Sequence, residues 1–343
     1  MQNPSSPPTA PGPDERPPAE VTGDDTPTVV VLGGTGCIGR HVCATFARHG
    51  YRVVTVARRP APRVTPHPHR SLDLSTARPA VLRALFADAR ADAVVNATDM
   101  AGATDTTGAA DGGEARAAEL LDANEGLARR LVDALSGAER APRLVHIGTI
   151  HEYGPGDSGV PLHEDVEPAP VNAYARAKLA GSRTVLDAAR SGAVSAVVLR
   201  VVNTCGPYPT PAGFAGKLLP TLRAAAAAGE PPTITVGGAM RDWIDVRDIA
   251  EAAVLAARRP VSGHAFNIGS GVCVSMRELV GHALTAAGLP DSGVRESTGQ
   301  LRGLGADWIQ ADIGRARALL GWSPLVPLEQ SLRDMWDAGE TSR

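Results

Sequence analysis

The sequence predicts an α/β fold, a doubly wound parallel sheet with a smaller, discontinuous C-terminal lobe. Short β-branched runs recur between Thr28 and Arg200, and amphipathic stretches of helical length separate them. A glycine cluster sits where the first run meets the first such stretch. Strands alternating with helices at this spacing pair in parallel, because each helix carries the chain back to the same end of the sheet. A chain of 343 residues has ample core for such a sheet and a second lobe.

Residues 1–26 are rich in Pro, Ser, Thr, Asp and Glu and nearly devoid of large apolar side chains. They cannot bury enough surface to offset the entropy of ordering, so a disordered tail is expected. They also lack the basic start and apolar run of a secretory signal. Thr28-Val29-Val30-Val31-Leu32 is a continuous run suited to a strand buried on both faces. Gly33-Gly34-Thr35-Gly36-Cys37-Ile38-Gly39 follows, then an amphipathic stretch from Arg40 to His49, then the strand Arg52–Ala57. Strand, glycine loop, helix and strand form the Rossmann-type unit that cradles a dinucleotide. The glycines let the backbone approach the pyrophosphate, and the helix N-terminus faces its charge. A glycine-rich turn without a ligand has the same loop, but the flanking strands favour the cradle.

The end of the second strand bears on which dinucleotide. An acid there would hold the adenosine ribose hydroxyls of NAD, and the chain instead reads Ala57-Arg58-Arg59. Two guanidiniums can pair a 2′-phosphate, so NADP(H) is the expected cofactor. Two solvated arginines at a strand end are the plain alternative in so Arg-rich a chain.

Beyond it, Asp73-Leu74 follows a short strand, and Val81–Ala89 reads as a helix. Asp92–Ala97 is a buried strand, 98–113 a loop, and Glu114–Leu135 a long helix. Arg143–Ile147 is the next strand, leading into Gly148-Thr149-Ile150-His151-Glu152-Tyr153-Gly154. A helix to about Arg190 and the strand Ala196–Arg200 complete the alternation.

That helix carries Tyr174-Ala175-Arg176-Ala177-Lys178, which puts a phenol and an ammonium on one face, one turn apart. A phenol transfers protons near neutral pH only if a neighbouring cation stabilises its phenolate. Of the 34 basic residues only Lys178 and Lys217 are lysines, so a surviving lysine points to work that a guanidinium cannot do. The net charge of -3, with no basic run, argues against general nucleic-acid binding. No apolar run reaches the roughly 18 to 20 residues that span a bilayer. Cys37, Cys43, Cys205 and Cys273 are scattered without metal-ligand spacing, as expected of reduced thiols in a cytosolic protein.

Together these motifs resemble the extended short-chain dehydrogenase/reductases, in their nucleotide-sugar branch. The resemblance spans nearly the whole chain after the tail. It rests on the Gly33/Gly36/Gly39 loop, Asp73, Asn124, Thr149 with Tyr153-Gly154, and Tyr174/Lys178. It continues through Leu199-Arg200-Val201-Val202-Asn203 with Gly206-Pro207, then Arg241-Asp242-Trp243-Ile244-Asp245-Val246-Arg247-Asp248. Phe266-Asn267-Ile268-Gly269 and Leu320-Gly321-Trp322-Ser323-Pro324 complete it.

The resemblance implies that Tyr174 is the acid/base at the sugar oxygen. Lys178 would lower its pKa and bind the nicotinamide ribose, and Thr149 would hold the same oxygen by its hydroxyl. A hydroxyl capping a loop is the plain alternative for Thr149. The cofactor would meet Gly33, Thr35, Gly36, Cys37, Ile38, Gly39, Arg58, Arg59 and Ala97, with Asp73 and Leu74 flanking the adenine and Asn124 nearby. On the substrate side the resemblance implies Asn203 and Arg241 at the nucleotide diphosphate, together with His151, Lys217 and Arg302. Lys217 stands where relatives usually carry another polar residue, and Arg302 precedes a degraded Arg-x-Gly-Asp turn. Asp242, Asp245 and Asp248 read as structural and helix-capping.

Sugar 4,6-dehydratases of this branch carry Asp-Glu directly after the catalytic Thr. Ile150 and His151 occupy those places here, and an isoleucine cannot transfer protons, so dehydration is excluded. His151 reads as a hydrogen-bonding wall residue or as an auxiliary acid/base. That leaves net reduction or redox-neutral epimerisation, and Arg58 and Arg59 point to an NADPH-dependent ketoreductase, similar to those acting on dTDP-4-keto-6-deoxyhexoses in deoxysugar pathways. A nucleotide-sugar 4-epimerase and a non-catalytic NADP sensor are the other readings. The expected division is 27–203 plus 236–269 for the NADP-binding domain and 204–235 plus 270–343 for the sugar-nucleotide domain, with the substrate between them. A homodimer through helices near 114–135 and 172–190 is also implied.

Overall fold

Alternation along the first strand decides which helical layer each side chain meets. In β1 (Thr28–Leu32) every residue is buried. Val29 and Val31 join one core cluster with Val42 and Phe46, and Val30 and Leu32 join another with Leu82 and Leu131. The four apolar residues Val29–Leu32 suit a strand covered on both sides. The computed structural model describes residues 26–61, 64–98, 113–136, 138–211, 213–296 and 307–338.

In chain order the first lobe continues with α1 (Cys37–Arg48), β2 (Arg52–Ala57), β3 (His69–Ser71), α2 (Pro79–Asp88) and β4 (Ala93–Asn96). Then come α3 (Gly113–Leu121), α4 (Leu127–Ser136), β5 (Arg143–Thr149), α5 (Ala173–Arg190) and β6 (Ala196–Val201). After these follow β7 (Asn203–Cys205), α6 (Phe214–Ala228), β8 (Ile234–Val236), β9 (Met240–Asp245), α7 (Val246–Arg258) and β10 (Ala265–Ile268). The chain ends with β11 (Cys273–Ser275), α8 (Met276–Ala287), β12 (Val294–Glu296), β13 (Trp308–Ile309) and α9 (Leu328–Ala338). The large sheet has seven strands in the order β10-β6-β5-β4-β1-β2-β3. All its pairings are parallel. α1 and α7 cover one face, while α2, α4 and α5 cover the other.

The long helix expected over 114–135 is interrupted by a π turn at Asp122–Gly126, which joins α3 to α4. α5 starts where the Asn172 side chain accepts the Ala175 amide at 2.8 Å. The stretch 236–269 is divided between two sheets. β10 pairs with β6 in the large one, whereas β9 pairs with β7, β11 and β13 in a separate sheet. A third core cluster, around Leu218, Leu222, Trp243, Leu279 and Leu332, packs the C-terminal elements.

The three acids of the Arg241–Asp248 segment are structural. Buried Asp242 accepts from the amides of Ser270, Gly271 and Ala311 and from the Ser270 hydroxyl, at 2.7 to 3.1 Å. Asp245 caps α7 by accepting the Arg247 amide at 2.7 Å. Asp248 accepts the amides of Leu325 and Val326 at 3.1 and 3.0 Å, and its carbonyl takes the Trp322 indole N–H at 3.0 Å. Among the described residues no helix is long and apolar enough to cross a membrane.

Candidate active site at the reversal of strand order

Strand order reverses between β1 and β4, so a crevice opens at their C-terminal ends. Gly33 and Ala97 face each other there. Gly33 has φ +75°, and a Cβ on it would lie 2.8 Å from the Ala97 carbonyl oxygen. A Cβ on Gly39 would collide with the Gly33 carbonyl. Gly36 donates to that carbonyl at 2.9 Å and starts α1 without any side-chain cap. The N-terminus of α1 thus carries no side-chain cap, and the partial positive charge of a helix N-terminus favours an anion. A dinucleotide pyrophosphate fits this cradle, with Thr35, Cys37 and Ile38 half-buried around it.

Arg58 and Arg59 are exposed just past β2. Asp73 is exposed, and its carboxyl is held below the ordinary range by hydrogen bonds from Ser75 and then by the Arg58 charge. Leu74 beside it is buried. Buried Asn124 lies in the π turn, donating from Nδ2 to the Leu120 carbonyl at 2.8 Å. Its backbone packs closely on Gly181 of α5, where a Cβ would stand 3.2 Å from the Asn124 carbonyl oxygen.

Lys178 is 4% exposed, and its Nζ donates to the Ile147 carbonyl at 2.8 Å. The lysine is thus held against β5 two residues before the buried Thr149. Tyr174, one turn earlier on α5, is half-buried and packs with Ala173 against Leu120 and Ala177. Beneath them, buried His146 is hydrogen-bonded through Nδ1 to Asn96 at 3.1 Å. Burial, then the Lys178 charge, pushes its pKa down to about 3, so the ring is neutral. Thr149 caps a 3-10 turn over Ile150–Tyr153, accepting the His151 amide at 3.4 Å.

On the substrate side, His151 keeps some contact with solvent, but surrounding protein and then the Arg241 charge push its pKa down to about 4. It holds no proton at neutral pH. Arg241 is largely buried and donates to the Met240 carbonyl at 2.9 Å. Half-buried Asn203 donates to the Asp242 carbonyl at 3.2 Å, and Lys217 lies on an exposed position of α6. Arg302 lies outside the described residues. The structure therefore gathers Lys178 and Thr149 at the C-terminal end of β5, and Arg241 beside His151.

One set of residues escaped the sequence reading. Glu152 is fully buried, and its carboxylate accepts from the Thr149 amide at 3.0 Å, the Ser182 hydroxyl at 2.8 Å and Arg200 Nε at 2.8 Å. Thr149-Ile150-His151-Glu152 matches the Thr-x-x-Glu capping-box pattern, a signal that could have found it.

The sequence profile of the NAD dependent epimerase/dehydratase family matches residues 29–269. The chain is 34% identical over 317 residues to a dTDP-6-deoxy-L-talose 4-dehydrogenase (NAD(P)(+)) of Kitasatospora kifunensis, covering 92% of this chain and 96% of the relative. It is 28% identical to a UDP-glucose 4-epimerase of Rhizobium leguminosarum bv. trifolii, covering 90% and 96%. Its fold superposes on MoeE5 in complex with UDP-glucuronic acid and NAD with a TM-score of 0.76, at 26% identity and with 92% and 100% of the two chains covered.

Proposed function

The chain belongs to the NAD dependent epimerase/dehydratase family, and from that premise we propose that it is an NADPH-dependent ketoreductase acting at C4 of a dTDP-4-keto-6-deoxyhexose. At the coarser level it is a nucleotide-sugar-modifying, NAD(P)-dependent enzyme. The observation that carries the finer reading is the exposed pair Arg58 and Arg59 past β2, with no acid at Ala57, while buried Lys178 tied to the Thr149 strand, with Tyr174 on the same helix, supports the proton transfer.

When bound, NADPH supplies a hydride to the keto carbon. Tyr174 would give its phenolic proton to the carbonyl oxygen, so that hydride and proton together turn the ketone into an alcohol. The Lys178 ammonium stabilises the tyrosinate that remains. The Thr149 hydroxyl donates to the same oxygen and orients it. His151 is neutral and serves the pocket wall as a hydrogen-bonding group, with Arg241 and Asn203 toward the diphosphate. The missing acid at Ala57 and the exposed Arg58 and Arg59 support NADPH over NADH. Gly33, Gly36 and Gly39 hold the pyrophosphate, and the C-terminal lobe, 204–235 plus 270–343, completes the sugar-nucleotide site.

Mixing the protein with NADPH and a dTDP-4-keto-6-deoxyhexose tests the reading. Stoichiometric loss of the NADPH absorbance is expected, and NADH should be the poorer donor. Isomerised sugar without loss of cofactor would instead favour an epimerase, as in the Rhizobium relative's name. Tyr174→Phe should lower kcat by about 10²- to 10⁴-fold while leaving NADPH affinity intact. A second subunit would sit on the outer face of α4 and α5, where a shallow groove is lined by Glu125, Arg129, Arg176, Leu179 and Arg183. Sedimentation at a dimer mass is the expected result.

A further inference from the structure

We propose that Glu152 is a positioning residue, whose buried carboxylate clamps the Thr149 turn to the helix that bears Tyr174 and Lys178. The inference rests on the catalytic reading of those three residues.

A capping box needs only a side-chain oxygen at the cap amide, and an exposed glutamate serves it well. Here the carboxylate is 0% exposed, which costs several kcal/mol unless its lone pairs are filled. Every filling partner is a different element of the site. The Thr149 amide is the end of β5, Ser182 is on α5, and Arg200 is on β6 beside β5. Ser182 follows Lys178 by one helical turn, so it shares the face that carries the Tyr174/Lys178 pair. One carboxylate oxygen receives both the Thr149 amide and the Ser182 hydroxyl. A single atom thereby bridges the strand end and the helix, one turn along α5 from the bond between Lys178 and the Ile147 carbonyl.

The surroundings are shaped to this carboxylate. A Cβ on Gly148 would lie 2.5 Å from Glu152 Oε1 and 3.0 Å from the Ser182 hydroxyl oxygen, so only glycine fits. The Arg200 guanidinium lies 4.4 Å from the centroid of the Tyr153 ring, and the Tyr153 hydroxyl donates to Asn267 Oδ1 at 2.9 Å. Arg200 is therefore held on two sides, and the clamp is anchored to β6 and, through Tyr153 and Asn267, to β10. Small misplacements of reacting groups are costly in rate, whereas ground-state binding of the cofactor at the distant glycine loop is not affected.

Ser182→Ala removes one arm of the clamp and leaves the Arg200 pair in place. With NADPH and dTDP-4-keto-6-deoxyglucose as the probe, kcat should fall about 10-fold and KM for NADPH should change less than about 2-fold. Glu152→Gln should lower kcat further. In the NADPH complex, amide hydrogen exchange over 147–153 should speed up in both variants. Wild-type kcat in Ser182→Ala, with or without faster exchange, would overturn the proposal, as would equal falls in cofactor affinity and kcat. If Glu152→Gln does not fold, Ser182→Ala decides. Failure of the wild type to turn over the probe, or full activity in Tyr174→Phe, would sink the catalytic reading instead, and unchanged exchange in Ser182→Ala would then still refute the clamp.

Discussion

At the scale of single residues, charge around the site is managed by main-chain partners and by neutral rings. Lys178 gives a hydrogen bond to the Ile147 carbonyl, and the nearby imidazole of His146 is kept uncharged. Burial inside the sheet disfavours a charged, protonated imidazole, and the Lys178 ammonium adds to that, which is why the His146 pKa sits far below the ordinary 6.5, at about 3. The unfolded chain binds that proton first as pH falls. Stability from this group is therefore complete above about pH 6.5 and declines between there and about pH 3, by up to about 1.4 kcal/mol per pH unit. His146→Gln cannot titrate and still offers Asn96 a hydrogen-bond partner. Its urea midpoint should fall less steeply than the wild type's between neutral pH and pH 4, and parallel curves would contradict the account. His151 shows the same direction of shift, from burial and then the Arg241 charge, which favours a wall residue over an auxiliary acid/base near neutrality.

At the scale of elements, the glycine loop and the Thr149 turn are built oppositely. The loop works by absence: Gly33 and Gly39 allow backbone to approach backbone, and α1 is left uncapped for an anion. Gly39→Ala forces its methyl group onto the Gly33 carbonyl and should cost about 1 to 3 kcal/mol of stability. NADPH affinity should drop at least about 10-fold with it, since the loop must open to admit the methyl. Fluorescence titration of NADPH, with thermal melting alongside, measures both. The Thr149 turn works instead by saturation, with a buried carboxylate that accepts from the Thr149 amide, the Ser182 hydroxyl and Arg200. The π turn in the long helix is a third device: it lets Asn124 turn inward against Gly181 while α3 and α4 continue along one rod.

At the scale of the molecule, the chain leaves the large sheet after β6 and returns to it at β10, and the C-terminal segment is then sewn back onto α7. Asp248 does the sewing, with one carboxylate oxygen for the Leu325 amide and the other for that of Val326. Trp322 is 2% exposed and hydrogen-bonded to the same residue's carbonyl. Asp248→Asn would set an amide NH₂ against one backbone N–H. It should destabilise the fold by about 1 to 3 kcal/mol, read as a lower urea midpoint, with NADPH affinity retained in the folded fraction. Loss of cofactor binding at full stability would show that this segment reaches the site by some other route.

Local periodicity was enough for much of this protein. The uninterrupted apolar run at 29–32, the glycines at 33, 36 and 39, and the four-residue spacing of Tyr174 and Lys178 are properties of neighbouring residues, because strand and helix repeats are set within a turn or two. The same holds for the short helix-capping acid Asp245. Contacts between distant positions were not legible. Glu152 looks like any polar residue in a turn until β6 and α5 bring Arg200 and Ser182 to it, 48 and 30 residues away in the chain. The divided path of 236–269 was equally hidden, since β9 reads as one more strand and only its partners place it outside the large sheet. The sequence alone determined the class of fold, the place of the glycine loop before the first helix, and the pairing of Tyr174 with Lys178 on one helix. The tertiary structure alone decided which buried charges meet, because electrostatic pairing depends on distance in space, and the chain's order does not encode it.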